Sequence, residues 1–154
     1  MALNGQVHVN SLSMVLLSPL TIGAAVSATA TTPFTKLGGM KYLVAEAKFL
    51  YGAGGTNATA YVQTSFDGGL TWMDIIAMQF TTAAASKVAA VSANISFDPD
   101  DTAPTYPPVT PTDGSLTANT CVNGLLGDRI RLKYVTTGTY TGATSLAVYA
   151  HAKG

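Results

Sequence analysis

The sequence predicts an all-β protein, folded as an antiparallel β-sandwich of about eight strands in a single domain over residues 1–154. Three observations favour this class. Glycine and threonine recur about every ten residues, which is the spacing of turns between short strands. Several segments alternate apolar and polar residues with the period of two that a half-buried strand requires. Segments with the 3.6-residue period of an amphipathic helix are scarce.

Each strand follows from a local pattern. The segments 41–51 and 144–153 are apolar on both faces, so they belong at the centre of a sheet or against a partner. The segments 58–66 and 72–81 flank one short turn and form a hairpin. Alanine favours a helix over 81–93, but threonine, serine and valine dilute that propensity, and a strand is predicted. The predicted strands are 13–17, 20–28, 41–51, 58–66, 72–81, 87–95, 129–137 and 144–153.

The segment RIRLKYV shows the clearest alternation. Arg129, Arg131 and Lys133 point to one side of the predicted strand, and apolar residues point to the other. Such a charged row is typical of a solvated strand face or of ion pairs between subunits, and it is our candidate interface face. A stripe that contacts phosphates is the alternative, although the chain has no run of basic residues.

One short motif carries more information than any other, the stretch TSFDGGLTW. Ser65, Asp67, Gly69, Thr71 and Trp72 fall in the order of an Asp-box, a hairpin motif of sialidases and many other β proteins. The physics of the motif is that of a turn, because an aspartate accepts bonds from nearby backbone N–H groups and glycines take positive φ freely. We therefore interpret the box as a folding element. A sialidase-like or glycosidase activity is the alternative, and it rests on this motif alone.

The composition is poor in charge. Charged residues make up 10% of the 154, against about 25% in ordinary domains. The formal net charge is zero and the mean hydropathy is +0.29. A surface of this kind is poorly solvated in a free monomer, so we expect a protein that works within an assembly. Only eight lysines and arginines are present, which argues against nucleic acid as a specific partner.

Candidate catalytic and metal-binding groups are few. Cys121 is the only cysteine, so it forms no disulfide within the chain, and we expect a buried, inert thiol. His8 and His151 lie near opposite ends and lack the ligand spacing of a zinc site. Glu46 is the only glutamate, and no acid pairs with it specifically as a glycosidase would need. The sequence predicts no enzyme, no cofactor and no metal.

The apolar segment MVLLSPLTIGAAVSATA could be taken for a secretory signal. Residues 1–13 contain no lysine or arginine, so the positive region of a signal peptide is missing. Pro19 interrupts the apolar run, which is too short to span a membrane. We expect strand here, without a signal peptide and without membrane association.

A long proline-rich segment, 97–123, breaks the rhythm of the strands. Five of the seven prolines lie within 99–111, which predicts an extended arm with polyproline character. Half of the chain's acids also lie here, and Ca²⁺ binding stays open, although DPDD lacks the order of an EF-hand loop. We expect the arm to pack on a neighbouring subunit or on a shell beneath. The candidate interface residues are Pro104, Tyr106, Pro107, Pro108 and Val109.

Two stretches, AYVQTSFDGGLTWMDI and GLLGDRIRLKYVTTGTYTGATSLAVYA, resemble small all-β virion proteins of tailed bacteriophages. The resemblance covers residues 40–82 and 124–152. It lies in the general pattern of strand and turn residues more than in a diagnostic motif. It implies a jelly-roll or similar sandwich, repeated many times on a particle, without chemistry of its own.

Within that group the resemblance favours capsid decoration (cement) proteins, which commonly form trimers at capsid symmetry points. It implies a homo-oligomer, most simply a trimer, that binds the major capsid protein or another virion protein. It also implies synthesis in the bacterial host cytoplasm and a place in the virion. A tail-tube, head-spike or connector part is one alternative. A carbohydrate-binding or host-surface adhesion sandwich is another, since several aromatic rings could stack on sugars. They are Tyr42, Tyr51, Tyr61, Trp72, Tyr134, Tyr140 and Tyr149.

Overall fold

A computed structural model of the chain describes residues 11–21, 30–93 and 108–154. Within these ranges the backbone forms β-strands and no helix, so the predicted all-β class is confirmed. The strands are β1 (Ser11–Thr21), β2 (Ala30–Thr31), β3 (Thr35–Lys36), β4 (Tyr42–Leu50), β5 (Ala53–Gly54), β6 (Asn57–Ser65), β7 (Met73–Phe80), β8 (Ala85–Ser92), β9 (Arg129–Thr137), β10 (Tyr140–Thr141) and β11 (Ser145–Lys153).

The strands form two antiparallel sheets packed face to face. One sheet has the order β1-β11-β4-β8, and the other has the order β2-β9-β6-β7 with β3 also paired to β9. Apart from the small β5–β10 ribbon, the first strand pairs with the last, and β2 and β3 pair with the next to last. The pairing continues inward through β4–β8 to the β6–β7 hairpin. This is the strand order of a jelly roll, and the predicted sandwich is confirmed.

Most predicted strands are found close to their predicted ends. The segment 81–93, where a helix competed with a strand, contains β8. The prediction of two strands at 13–17 and 20–28 is wrong over 13–21, because β1 runs through Pro19 as one strand. The register between β1 and β11 shifts on both sides of Leu17, and this irregularity lets the strand accommodate a proline, which cannot donate a backbone hydrogen bond. Residues 22–28 lie outside the described residues.

The core lies between the two sheets. Phe49 of β4 stacks on Phe80 of β7 with ring centroids 5.3 Å apart, and it meets Tyr140 edge to face at 5.8 Å. The hydroxyl of the wholly buried Tyr140 donates a hydrogen bond to the Thr81 carbonyl at 3.2 Å, so its polar atom is satisfied inside the core. Other core members from both sheets are Leu43, Ala45, Ala47, Ala60, Val62, Ile75, Ile76, Ile130, Leu132, Leu146 and Val148.

A one-residue bulge in β7 decides which way Asp74 points. The β6–β7 register shifts between Val62 and Gln63, so Gln63 pairs with Asp74 and Ile75 is the extra residue. Side chains alternate between the two faces of a strand, and a regular register would therefore have turned Asp74 into the core. With the bulge, Asp74 lies beside Gln63 on the side of the sheet that faces away from the core.

Residues 113–116 lie on that side of the β2-β9-β6-β7 sheet, bonded to Gln63, Asp74 and Lys133. As a result β6 is buried along almost its whole length, although an outer sheet of a sandwich normally leaves one face to solvent. Within the described ranges no such cover lies over β4 of the other sheet, whose residues alternate between buried and exposed. The two sheets therefore differ in what their outer sides offer to a partner.

Candidate functional site

Asp67 organises the tip of the β6–β7 hairpin. Its carboxylate accepts hydrogen bonds from the backbone N–H of Leu70 at 3.0 Å and from the N–H and hydroxyl of Thr71 at 2.9 and 2.6 Å. The Ser65 hydroxyl donates to the same carboxylate at 2.8 Å and accepts the Gly69 N–H at 2.8 Å. These bonds tie both strand ends to one acidic side chain, as expected for a turn motif.

Trp72 closes the hairpin from the following strand. Its indole Nε1 donates to the Gly69 carbonyl at 3.0 Å. The turn needs Gly68 and Gly69, which take φ values of 76° and 94° that other residues rarely adopt. The half-buried ring lies 6.3 Å from Phe34 and 4.4 Å below the Arg131 guanidinium. All five residues of the motif thus take part in building the turn.

The electrostatics of Asp67 fit the same role. Hydrogen bonds, above all those from Thr71, hold the pKa of Asp67 well below its usual range. A carboxyl of this kind is ionised near neutral pH, and its oxygens already have donors. It is therefore a poor general acid, which must carry a proton near the working pH.

The predicted interface row on β9 is engaged within the chain. Arg129 lies over the Phe34 ring at 4.6 Å and donates to the Gly68 carbonyl at the hairpin tip. Arg131 covers the indole ring, as described above, and Lys133 belongs to the polar network that follows. All three residues are half-buried. The expectation of a solvated face is therefore wrong, because these cations hold the hairpin and a loop of the same chain, whereas an ion-pair row between subunits stays a prediction.

A polar network fills the outer side of the β2-β9-β6-β7 sheet. The Gln63 amide nitrogen donates to Asp74 at 2.8 Å and to Asp113 at 2.7 Å, and its oxygen accepts from Arg131 Nε at 2.8 Å. Lys133 Nζ lies 2.7 Å from Asp113 Oδ1. The bonds from Lys133 and then Gln63 lower the pKa of Asp113. Both carboxylates are thus held as structural acceptors.

Asp74 fixes the loop that follows the prolines. It is wholly buried, and its Oδ2 accepts the backbone N–H groups of Gly114, Ser115 and Leu116 at 2.8, 3.0 and 3.1 Å. Its own N–H donates to the Thr112 carbonyl at 2.8 Å. A buried carboxylate that accepts several backbone donors is well compensated, so the loop and the strand stabilise each other.

The second half of the predicted arm therefore packs on its own chain. The expectation that 97–123 packs on a neighbour is wrong for 112–123, which bonds to β7 and reaches the end of β8. Pro108 and Val109 are exposed. The predicted residues Pro104, Tyr106 and Pro107, and the acids Asp98, Asp100 and Asp101, lie outside the described residues.

Two surface cavities accompany these features. A cavity of about 340 Å³ lies between β8 and residues 119–121 and includes Lys87, Asn119 and Cys121. Cys121 is exposed, so the predicted burial is wrong. Partial desolvation raises the pKa of its thiol, which disfavours the nucleophilic thiolate. The second cavity, of about 300 Å³, is lined by Thr64, Phe66, Thr71, Trp72, Met73 and Pro111.

Among the side chains that the structure describes, the largest group of exposed apolar ones lies on the outer side of the β1-β11-β4-β8 sheet. Because β4 alternates between buried and exposed residues, every second residue of β4 and its neighbours points away from the core. Five large side chains there form what we call the outer face. They are Tyr42 (43% exposed), Val44 (42%), Leu50 (61%), Val88 (67%) and Tyr149 (37%).

Charge on the outer face is balanced locally. Glu46 and Lys48, neighbours on β4, form an ion pair at 3.6 Å. Lys48 also lies 5.7 Å from the centre of the Tyr149 ring. The centre of the face is therefore apolar and self-neutralised, whereas Lys153 of β11, opposite Tyr42, adds an exposed cation at one end.

No family model, curated protein or solved structure matches this chain. Within the described ranges, no group of three or more histidine, cysteine or acidic side chains is placed to hold a metal ion. The same part of the chain contains no helix that is long and apolar enough to cross a membrane.

Sequence reasoning found part of the outer face and missed the rest. Strands apolar on both sides indicated that 41–51 and 144–153 lie centrally or meet a partner, and they form the two central strands of this sheet. Val88 was not singled out, because its alanine-rich strand gave no clear periodicity. Asp74 was also missed, although one acid inside the apolar run MDIIAM was a usable signal.

Proposed function

We propose that this chain is a non-enzymatic structural protein of a tailed-bacteriophage particle, a capsid decoration protein that stabilises the shell through contacts of its outer face. The observation that carries the proposal is the outer face itself, a group of five exposed apolar side chains on one side of a sheet. Exposed apolar groups of this kind mark interaction sites, since soluble proteins rarely leave large ones to water. The major capsid protein is the partner that we propose for this face.

Fold and charge support the same role. Jelly rolls build viral capsid domains and lectins, so the observed topology suits a virion protein without deciding for it. Formal neutrality removes long-range repulsion when many copies crowd on one particle. Burial of apolar surface contributes about 25 cal/mol per Å², which gives the outer face a favourable contact without any ionic anchor.

Two of the five described acids support a non-enzymatic role. Asp67 accepts the bonds of its own turn, and Asp74 accepts a loop backbone. Carboxylates used in this way are occupied by structural donors and offer no free oxygen to a substrate.

Co-sedimentation with head shells of the phage that encodes the chain tests the proposal. Val44→Lys places a charge in the outer face, and we expect shell binding to fall about tenfold or more, because a buried unpaired charge opposes binding. Leu70→Lys is the matched control, since Leu70 is 86% exposed at the hairpin tip, away from the outer face. Equal binding by wild type and Val44→Lys, or no binding by wild type, would refute the proposal.

A carbohydrate-binding or adhesion role is the second candidate, and one observation favours it. Tyr42 and Tyr149 are both exposed on the outer face, and exposed aromatic rings on one surface can stack on sugars. Lys48 approaches the Tyr149 ring, which leaves less of that ring for a ligand. A glycan array that gives signals abolished by Tyr149→Ala, with shell binding unchanged, would establish this role in place of decoration.

A further inference from the structure

The two sheets have four edges, and three of them are protected within the described residues. Backbone groups of Thr112, Thr120 and Val122 bond to the free side of β7. The opposite edge of that sheet is formed by β2 and β3, which pair with β9 and are only two residues long each, too short to template a further strand. β1 carries Pro19 and irregular register, both of which discourage pairing with a further strand. Protection of this kind is the rule, because an open edge offers unpaired N–H and C=O groups to other chains.

The fourth edge, that of β8, is closed only at one end. Ser92 donates its N–H to the Asn123 side chain at 2.7 Å and accepts the Gly124 N–H at 2.8 Å. The next residue, Ala93, donates its N–H to the Lys41 carbonyl, on the side where β4 lies. Neighbouring residues of a strand direct their backbone groups to opposite sides, so the bonds of Ser92 lie on the side away from β4. Backbone groups alternate in direction along a strand, so those of Val88 also point outward. In the described ranges no backbone or side-chain group bonds to them there.

None of the usual protective devices is present on this part of β8. The β4–β8 ladder runs from Tyr42–Ser92 to Phe49–Ala85 without a register shift, so no bulge twists the edge away. The outward-pointing residues are Ser86, Val88 and Ala90. They include no charge and no proline. The remaining edge is therefore a flat, uncharged template for another strand.

The one charged residue of β8 is turned away from the edge. The Lys87 ammonium donates to Asn119 Oδ1 at 2.5 Å and lies 5.4 Å from the centre of the Phe80 ring. It therefore faces the 119–121 segment and the core side of the sheet. Two copies that meet edge to edge would not bring two free lysines together, so the charge does not oppose self-association.

We propose that β8 pairs with β8 of a second copy, antiparallel about a two-fold axis near Val88 and Ala89, to join two sheets into one of eight strands. An antiparallel pair of identical strands satisfies both backbones at once, and a two-fold contact is the commonest way for one chain to bind itself. Small residues dominate the strand, ASKVAAVS, so its reverse fits against it without a steric mismatch. The cavity of about 340 Å³ beside Ala89 leaves room for side chains of the incoming strand.

This pairing deepens the proposed function by naming a second copy as one partner of the chain, and it changes the expected oligomer. The resemblance to decoration proteins implies a trimer, whereas the open edge implies a dimer. The edge contact uses backbone groups of β8, and shell binding uses side chains of the outer face; Val88 contributes to both, so its variants are read for dimerisation only. A monomer that still binds head shells would refute the edge pairing alone, and a dimer that ignores shells would refute the proposed function alone.

Sedimentation equilibrium and amide hydrogen exchange on the full chain test the pairing. We expect a mass twice the 15.8 kDa of one chain, and not three times. The N–H groups of Val88 and Ala90 should exchange about 10- to 100-fold more slowly in the dimer than at concentrations where it dissociates. A monomeric or trimeric wild-type chain, or free exchange of both amides in a concentrated sample, would overturn the inference.

Two substitutions at one position separate backbone pairing from side-chain packing. Val88→Pro removes the outward N–H and leaves the ladder to β4 intact, because proline is tolerated where the N–H faces away from the sheet. Val88→Thr keeps the N–H and the branched shape, and it is the matched control. We expect a folded monomer from the first and a dimer from the second. If Val88→Pro does not fold, Val88→Lys keeps the N–H and places like charges at the axis. A folded Val88→Pro or Val88→Lys chain that still dimerises contradicts the pairing.

Discussion

Replacing Asp74 by asparagine should remove a large part of the protein's stability. Whichever way the new amide turns, its NH₂ group faces a donor, either the Gln63 amide or the loop N–H groups. A buried donor without an acceptor costs about 1–3 kcal/mol. The three loop bonds also lose their charge assistance, which is about half of the strength of each. Together these losses lower the free energy of unfolding by about 3–5 kcal/mol, a large share of the 5–15 kcal/mol of a typical domain.

Urea unfolding near neutral pH measures this change, and amide exchange locates it. The amides of Gly114, Ser115 and Leu116 should lose protection in Asp74→Asn before the sandwich unfolds, because they bond directly to the lost carboxylate. Asp128→Asn is the control, since Asp128 is exposed, and its effect should stay within about 0.5 kcal/mol. An Asp74→Asn protein within about 1 kcal/mol of wild type, with those amides still protected, would refute the reasoning.

Three further predictions concern the turns. Hydrogen bonds lower the pKa of Asp67, so the stability that its carboxylate contributes is present above the unfolded-state pKa and disappears as the pH falls through the folded-state value. The melting temperature of Asp67→Asn should therefore lie below that of wild type near neutral pH and approach it in acid. A difference in melting temperature that stays constant with pH would contradict this. Trp72→Ala should lower the free energy of unfolding in urea by about 2 kcal/mol, less than the 3–5 of a fully buried ring, because the indole is half-buried; a loss of partner binding at unchanged stability would make it a recognition residue instead. Gly55→Ala should lower the melting temperature sharply, because its Cβ would lie 2.3 Å from the Tyr140 ring, whereas Gly38→Ala, with a similar φ and no atom within 4 Å, should change it little; equal effects would show that φ alone decides.

Period-two patterning was enough to predict much of the fold. The alternation in RIRLKYV gave the bounds of β9 and its buried side, because one side of that strand faces the core. The Asp-box gave the β6–β7 hairpin, since its bonds are local and need no tertiary context. A strand or turn could thus be predicted where its local residue pattern alone determines its conformation and its buried side.

The failures have physical causes that a single sequence hides. The bulge at Ile75 sends Asp74 to the outer side of the sheet, and no local pattern announces an extra residue in a strand. The charged row on β9 reads as a solvated face, but a loop distant in sequence covers it and supplies Asp113. The sequence also showed no sign that the second half of the proline-rich arm packs on its own chain, because its hydrogen bonds to β7 join residues far apart in sequence.

The site was predicted less well than the fold. The arm and the β9 row were the expected interfaces, yet the exposed apolar surface lies on the opposite sheet. A strand that is apolar on both sides lies either at the centre of a sheet or against a partner. In this sheet both can hold for β4, because Leu43 faces the core while Val44 faces solvent. Exposure could be assigned to one side only once the sheet order was known.

A reconstruction of the phage particle by electron cryomicroscopy tests the central claim most directly. The account predicts density for the jelly roll in many symmetry-related copies on the head, with Val44 and Tyr149 of the outer face buried against the shell. Density in a tail tube, head spike or connector would contradict the decoration role. A complete particle that lacks the protein, or bound copies whose outer face points to solvent, would contradict the account as a whole.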